Sequence, residues 1–113
     1  MPIIATTPRP PYYAVIFTSV RTDENEGYAD MGAQMVALAA QMDGFLGVES
    51  AREELGITVS YWETLEAIRA WKQHSEHLLA QTHGRQTWYA AYTTRICLVE
   101  RDYSFQKEDK PPI

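Results

Sequence analysis

Cysteine, long apolar runs and basic residues are all scarce in this sequence. The single cysteine, Cys97, excludes an internal disulfide bond and a metal site built from several thiolates. No apolar run approaches the roughly 20 residues that a membrane-spanning helix needs. The opening MPIIATTPRPPYY has neither the basic segment nor the apolar core of a signal peptide. We therefore expect a cytoplasmic protein without a membrane partner.

Positive charge is spread thinly along the chain. Ten lysines and arginines stand against 15 acidic residues, which gives a formal net charge of −5. Nucleic acids are bound by clustered cations, whereas single cations such as Arg21 and Arg52 have the pattern of solvated surface charges. We expect no nucleic-acid partner. Nucleotide binding and serine hydrolysis also lack support, because the sequence contains neither a glycine-rich phosphate loop nor a serine nucleophile elbow.

The composition is that of one folded domain with short extensions. The chain has 113 residues, 45% of them hydrophobic, with three Trp, seven Tyr and three Phe. Four prolines mark residues 1–11 as an extended or disordered arm outside the core, and QKEDKPPI marks residues 106–113 as a similar tail. The folded domain is expected over residues 12–105.

Hydrophobic periodicity predicts the order of the elements. YYAVIFTSV (12–20) is aromatic and β-branched, as in a strand, and a helix follows with Asp23 or Asn25 as its cap and Gly44 at its end. LGVESARE and GITVSYWE predict a hairpin that turns near Gly56. A second helix begins at the N-cap Thr64, and YTTRICLVERDYSF (92–105) predicts the last strand. Five residues form the apolar stripe of the first helix: Tyr28, Met31, Met35, Leu38 and Met42.

The resulting order, β-α-β-β-α-β, is that of the ferredoxin-like α+β fold. A four-stranded antiparallel sheet then carries both helices on one face. The first strand is apolar on both sides, since Val15 and Phe17 oppose Ala14 and Ile16, and the last strand shows the same pattern. A sheet with one wet face alternates apolar and polar residues. We therefore expect a second copy on the other face, in a homodimer with sheets packed together.

The second helix contains the residues with the most chemical potential, in YWETLEAIRAWKQHSEH. At about 100° per residue, Trp71, His74 and Gln81 line one rim of a cavity between helix and sheet, while His77 lies nearer solvent. Each of these positions is also compatible with a purely structural role. A metal site built from His74, Glu76, His77 and His83 is disfavoured because no third ligand shares their face, so we expect no metal.

The segments DGFLGVESARE and GITVSYWETLEAIRAWKQHSEH resemble the antibiotic biosynthesis monooxygenase family, across residues 12–105. The resemblance implies a dimeric α/β barrel that performs cofactor-free oxygenation of polyketide quinone precursors or oxidative opening of haem. The haem-degrading members carry an Asn on the first strand, a Trp on the second helix and a His further on. Trp71 matches, but FTSVRT has no Asn and Gln81 falls near the His position, so haem degradation is not expected.

The resemblance implies a monooxygenase without metal, flavin or other cofactor that acts on a small aromatic or polyphenolic compound. His74 would be the base or hydrogen-bond donor, and Arg95 would anchor an enolate or phenolate. The alternative is a non-catalytic dimer that binds a small apolar ligand or has a filled cavity. The remaining predicted ligand-binding residues are Phe17, Trp62, Trp71, His77, Gln81 and Trp88.

Overall fold

The computed structural model describes residues 3–82 and 87–107, without the side chains of residues 80–82. The elements, in chain order, are β1 (Tyr12–Arg21), α1 (Tyr28–Ala40), β2 (Phe45–Arg52), β3 (Gly56–Trp62), α2 (Leu65–Thr82) and β4 (Tyr89–Val99). The four strands form one antiparallel sheet in the order β2-β3-β1-β4. The predicted ferredoxin-like order is confirmed.

Strand β1 lies in the interior of the sheet and sets its two faces. Side chains alternate along a strand, so Val15, Phe17 and Ser19 point to one face while Ala14 and Ile16 point to the other. The first set faces the helices, because Val15 packs with residues of both helices in the core. We call these the helix-facing side and the open side of the sheet.

The core sits under one end of the two helices. Val15 from β1 and Trp62 from β3 pack against Ala39 of α1 and Ile68 of α2. Trp62 is 0% exposed. A buried tryptophan removes about 200 Å² from water, which stabilises the fold by about 5 kcal/mol before entropy costs. Five partly buried side chains surround this core: Tyr13, Met42, Phe45, Ala67 and Trp71.

The helix termini agree with the sequence only for α2. The Thr64 hydroxyl accepts the amide hydrogen bond of Ala67 at 3.0 Å, which confirms the predicted N-cap. The predicted cap of α1 at Asp23 or Asn25 is wrong. The N-cap is Gly27, at φ 79°, with no side-chain hydrogen bond. A side chain there would be strained and would crowd the Trp88 ring.

Two predicted boundaries also shift. Helix α1 stops at Ala40, and Gly44, at φ 84°, lies in the turn towards β2 instead of directly after the helix. Strand β4 runs over Tyr89–Val99 and not over 92–105. The reason is its partner: β1 pairs with β4 from Tyr12↔Val99 to Arg21↔Tyr89, so the strand extends only as far as hydrogen bonds are offered.

The amino-terminal arm lies against the open side of the sheet, a contact that the sequence did not predict. The Ala5 amide donates to Glu49 Oε2 at 2.9 Å, and the Tyr61 hydroxyl donates to Glu49 Oε1 at 2.6 Å. The Thr7 hydroxyl donates to the Tyr12 hydroxyl at 2.9 Å. Gly47 makes room for Ala5, because a Cβ at that position would lie 2.8 Å from the Ala5 Cβ. The arm therefore covers part of this face.

Candidate functional site

Two groups of aromatic side chains share the helix-facing side of the sheet. The tryptophan cluster consists of Phe45, Trp62 and Trp71. The second group, which we call the tyrosine–arginine cluster, lies at the other end of β1 and includes Phe17, Ser19, Arg21, Tyr28, Arg52, Trp88, Tyr89 and Tyr92.

The tryptophan cluster is a filled space. The Trp62 and Trp71 rings stack with centroids 5.8 Å apart and planes 26° apart, and Phe45 meets Trp62 edge-on at 5.3 Å. The Trp62 indole N–H donates to the Ser60 hydroxyl at 2.9 Å, so its one polar atom is satisfied. Trp62 has no exposed surface. Its contribution is to packing, and its role as a pocket wall stays a prediction.

The two histidines of α2 are on the outside of the molecule. His74 and His77 are both exposed, whereas Trp71 is half-buried against the core. His74 lies about 60° round the helix from Trp71, which is enough to turn it away from the sheet. The Gln81 side chain and all of His83 lie outside the described residues. The role of His74 as a base stays a prediction.

Strand register builds the polar part of the tyrosine–arginine cluster. Arg52 pairs with Gly56, Gly56 pairs with Ser19, and Ser19 pairs with Tyr92, so the four positions form a row across the sheet. The Arg52 guanidinium donates to the Ser19 hydroxyl, which is 1% exposed. It reaches Ser19 by lying over Gly56, where a Cβ would collide with it. Glycine at this position is what allows the contact.

Aromatic rings surround this row. Phe17 contacts Tyr92 at 5.1 Å and Tyr89 at 5.5 Å between ring centroids. Tyr28, from the first turn of α1, meets Tyr89 at 6.1 Å and Trp88 at 6.0 Å. The Trp88 indole is held in place by a hydrogen bond to the Glu26 carbonyl. Except for the buried Trp88, these rings are half-buried, so the cluster is open to solvent in part.

Arg21 extends the cluster at the end of β1. Its Cζ lies 3.3 Å from the centroid of the Tyr28 ring, in a cation–π contact. Its Nη2 donates to the Glu24 carbonyl at 2.6 Å. Its Nε is buried and has no hydrogen-bond partner in the described part of the chain. A buried donor without an acceptor is costly, and among the described side chains this Nε is the one buried polar atom of that kind.

The charges around Tyr89 oppose each other. Burial raises the pKa of its phenol above the ordinary value of 10, and the neighbouring Tyr28 phenol and its hydrogen bond act in the same direction. The cations Arg52 and Arg21 favour the phenolate, but burial dominates. Tyr89 is therefore a neutral phenol at pH 7. Among the described residues, no carboxylate forms an ion pair with either arginine.

Besides the two exposed histidines of α2, the structure divides the predicted site residues among three places. Trp62 and Trp71 lie in the tryptophan cluster, and Phe17 and Trp88 lie in the tyrosine–arginine cluster. Arg95 pairs with Ile16 and so lies, exposed, on the open side of the sheet. The residues that sequence reasoning missed are Ser19, Arg21, Tyr28, Arg52, Tyr89 and Tyr92. The sequence signal that could have found two of them is the alternation of side chains along β1, which places Ser19 and Arg21 on the same side of the sheet as Phe17.

A groove of about 520 Å³ lies elsewhere, between the end of α1 and the start of α2. It is lined by Gln41, Met42, Asp43, Gly44, Glu63, Thr64, Glu66, Ala67 and Ala70, and contains none of the predicted site residues.

Over the described ranges, no three His, Cys, Asp or Glu side chains are grouped as a metal site would require. In the same ranges no helix has the length and apolar character to cross a membrane.

Fold and site together define a class: a ferredoxin-like α+β domain with an aromatic, arginine-bearing surface on the helix-facing side of its sheet. The family model described as antibiotic biosynthesis monooxygenase matches residues 11–83. The chain is also 49% identical over 109 residues to the uncharacterized protein YqjZ of Bacillus subtilis (strain 168), covering 95% of this chain and 96% of that protein. The protein belongs to the antibiotic biosynthesis monooxygenase family.

Solved structures share the fold at low sequence identity. PA3566 from Pseudomonas aeruginosa superposes with a TM-score of 0.62 at 17% identity, covering 84% of this chain and 98% of that one. SnoaB, a cofactor-independent oxygenase from Streptomyces nogalater, gives a TM-score of 0.59 at 12% identity, covering 87% of this chain and 100% of that one. At these identities the likeness establishes the architecture alone.

Proposed function

We propose that the protein is a cofactor-independent monooxygenase acting on a small aromatic or polyphenolic compound bound between the helices and the sheet. Membership of the family supports the reaction class, and a structural neighbour, SnoaB, is named as a cofactor-independent oxygenase. The observation that carries the proposal is the tyrosine–arginine cluster. It combines ring surfaces for an aromatic compound with two cations for a negative charge that develops on it.

The reaction needs a substrate that supplies all the electrons. A methylene activated by neighbouring rings and a carbonyl loses a proton and becomes an enolate, which transfers electrons to O₂ and forms a C–O bond. The resulting hydroperoxide loses water: R₂CH₂ + O₂ → R₂C=O + H₂O. One oxygen atom enters the product and the other leaves as water. The methylene carbon is oxidised by four electrons, so no external reductant is required.

The residues of the cluster divide this work by charge and hydrogen bonding. Arg21 and Arg52 stabilise the enolate, which lowers the cost of removing the proton. Tyr89, kept neutral by burial and by its hydrogen bond with Tyr28, contributes ring surface for the substrate. In this proposal bulk water accepts the proton, because the imidazole of His74, the base expected from the sequence, is exposed on α2 and turned away from the sheet.

We propose a homodimer as the working unit. Val20 and Ile57 are each 42% exposed on the open side of the sheet, beyond the part that the arm covers. A second copy on this side would remove them from water. Sedimentation equilibrium at micromolar concentration should give twice the chain mass of 12.9 kDa. A mass equal to one chain would contradict the dimer.

One observation favours the second candidate, a non-catalytic protein. The space beneath Trp71 is filled by Trp62, as a structural dimer with a packed interior would require. Oxygen consumption separates the two candidates. The purified, metal-free and flavin-free protein is mixed with a hydroxylated anthrone, and uptake of O₂ is followed together with formation of the quinone.

The enzyme should raise the initial rate well above the uncatalysed oxidation, in proportion to protein concentration, and isotopically labelled O₂ should place one labelled atom in the new carbonyl. A rate no higher than with heat-denatured protein, across several activated methylene compounds, would favour the non-catalytic protein. The control with denatured protein matters because such compounds also oxidise slowly by themselves.

A further inference from the structure

We infer that the tyrosine–arginine cluster is an anion-anchoring subsite that selects aromatic carboxylates, with Arg52 and Arg21 holding the carboxylate and Phe17, Tyr89 and Tyr92 contacting the ring. The inference rests on the proposed function in treating this cluster as part of the substrate site. It adds a substrate class, aromatic acids, and a discrimination against neutral aromatic compounds.

The first argument is charge. Arg52 donates to Ser19, and Arg21 lies two residues further along the same face of β1, so the two cations belong to the same end of the sheet, where both favour ionisation of Tyr89. No described carboxylate pairs with either of them, although the chain as a whole has five more acidic than basic residues. In an acidic protein, two uncompensated cations beside half-buried rings would be stabilised by an anion from outside.

The second argument is unused hydrogen-bonding capacity. A guanidinium has five N–H donors. Arg21 uses one on the Glu24 carbonyl, and its Nε is buried and closed to a ligand, so further donors for a carboxylate are those of the two terminal nitrogens. Arg52 donates to Ser19, which fixes the position of its guanidinium over Gly56. A planar carboxylate accepts paired bonds from such donors, whereas a neutral amide offers a single oxygen.

The third argument is the surroundings of the charge. Phe17, Tyr89 and Tyr92 contact one another at 5.1 to 5.8 Å between centroids and are half-buried. Aromatic rings bind other aromatic rings with little loss of side-chain entropy. Next to them on the sheet, Thr58 and Thr94 pair with Phe17 and contribute small side chains to the same side. The subsite therefore fits a ring with one anionic substituent.

Binding of naphthoate to the full-length wild-type protein, measured by isothermal titration calorimetry, tests the inference directly. We expect naphthoate to bind at least tenfold more tightly than naphthamide, which has the same ring without the charge, and than acetate, which has the charge without the ring. The affinity for naphthoate should fall as salt is raised. Equal affinities for naphthoate and naphthamide, or no measurable binding of naphthoate, would overturn the inference.

The variant Arg52→Gln tests whether Arg52 supplies the charge that binds the carboxylate. It should weaken the binding of naphthoate at least tenfold and change the affinity for naphthamide by less than twofold. The matched control is Arg95→Gln, an exposed arginine on the other side of the sheet, which should leave both ligands unchanged. Equal losses in the two variants would overturn the inference. Should Arg52→Gln fail to fold by circular dichroism, Arg52→Lys replaces it: lysine keeps the charge but not the paired planar donors, so naphthoate should bind more weakly than to wild type while naphthamide binding is unchanged. An unchanged affinity of Arg52→Lys for naphthoate would overturn the inference.

The binding and oxidation experiments distinguish failure of the anion subsite from failure of the proposed oxygenase activity. Naphthoate has no activated methylene, so its binding does not depend on oxygen chemistry. Selective naphthoate binding without anthrone oxidation would retain the subsite and remove the oxygenase activity. Rapid oxidation of a neutral anthrone, with naphthoate and naphthamide bound equally, would retain the oxygenase and remove the anion subsite.

Discussion

The two aromatic clusters lie on the same side of the same sheet, and they differ in what covers them. Ile68 of α2 and Ala39 of α1 close over the tryptophan cluster, so Trp62 is entirely buried and its ring meets other rings and a satisfied hydroxyl. Over the tyrosine–arginine cluster, Tyr28 supplies a contact from the first turn of α1, and half-buried rings and cations remain. One end of the domain is therefore a packed core, and the other is where we propose the ligand site.

The largest expected effect is a loss of folding stability when the tryptophan cluster is disrupted. Trp62→Ala should reduce the free energy of unfolding by about 3–5 kcal/mol, because it leaves a cavity that the stacked Trp71 cannot fill. Phe17→Ala, in the half-exposed cluster, is the matched comparison and should cost less than half as much. Urea denaturation followed by circular dichroism measures both. Similar losses in the two variants would show that the clusters do not differ in their contribution to stability.

A smaller effect, confined to binding, is expected for Gly56→Ala. The new methyl group displaces the Arg52 guanidinium, which is the flexible end of a long side chain, so the free energy of unfolding should change by only about 1 kcal/mol. Affinity for naphthoate should fall about tenfold, since Arg52 loses its place on Ser19. Calorimetric titration and urea denaturation on the same sample check the two parts. Gly32→Ala, where a Cβ meets nothing within 4 Å, is the control.

The alkaline limit of stability should depend on the tyrosine–arginine cluster. Burial raises the pKa of Tyr89 in the folded protein above its ordinary value of 10, so the folded state holds this proton more strongly than the unfolded chain does. Its contribution to stability is complete below pH 10 and is lost as the pH rises towards the folded-state pKa. Tyr89→Phe should therefore lose less stability than wild type between pH 9 and pH 11, by thermal unfolding. Identical pH profiles would contradict this.

The smallest expected effect concerns His74. Because the imidazole is exposed on α2, His74→Ala should change the free energy of unfolding by less than about 0.5 kcal/mol. We expect its rate of anthrone oxidation to stay within threefold of wild type, with bulk water accepting the proton. His77→Ala is the control from the same helix. A selective fall of about 10²- to 10⁴-fold in His74→Ala would establish this residue as the base.

Local patterns were sufficient for the elements and their order. The aromatic and β-branched run of β1, the Met-rich stripe of α1 and the Thr64 cap were all readable because each depends on residues close in the chain. The predictions were wrong where the boundary of an element depends on a residue that is distant in the chain. Strand β4 ends where β1 stops offering hydrogen bonds, and the N-cap of α1 is Gly27, where a side chain would crowd the Trp88 ring.

The features of the candidate site divide in the same way, between those that the sequence shows and those that only the fold decides. The sequence by itself determined the supply of aromatic rings, the scarcity of cations and the family resemblance. The tertiary structure alone decided that Arg52 crosses Gly56 to reach Ser19, and that Arg21 lies over Tyr28. These contacts join residues on different strands and a helix, so they depend on register and on twist. Isolated arginines therefore have the pattern of surface charges in the sequence, while the folded sheet places two of them in one aromatic cluster.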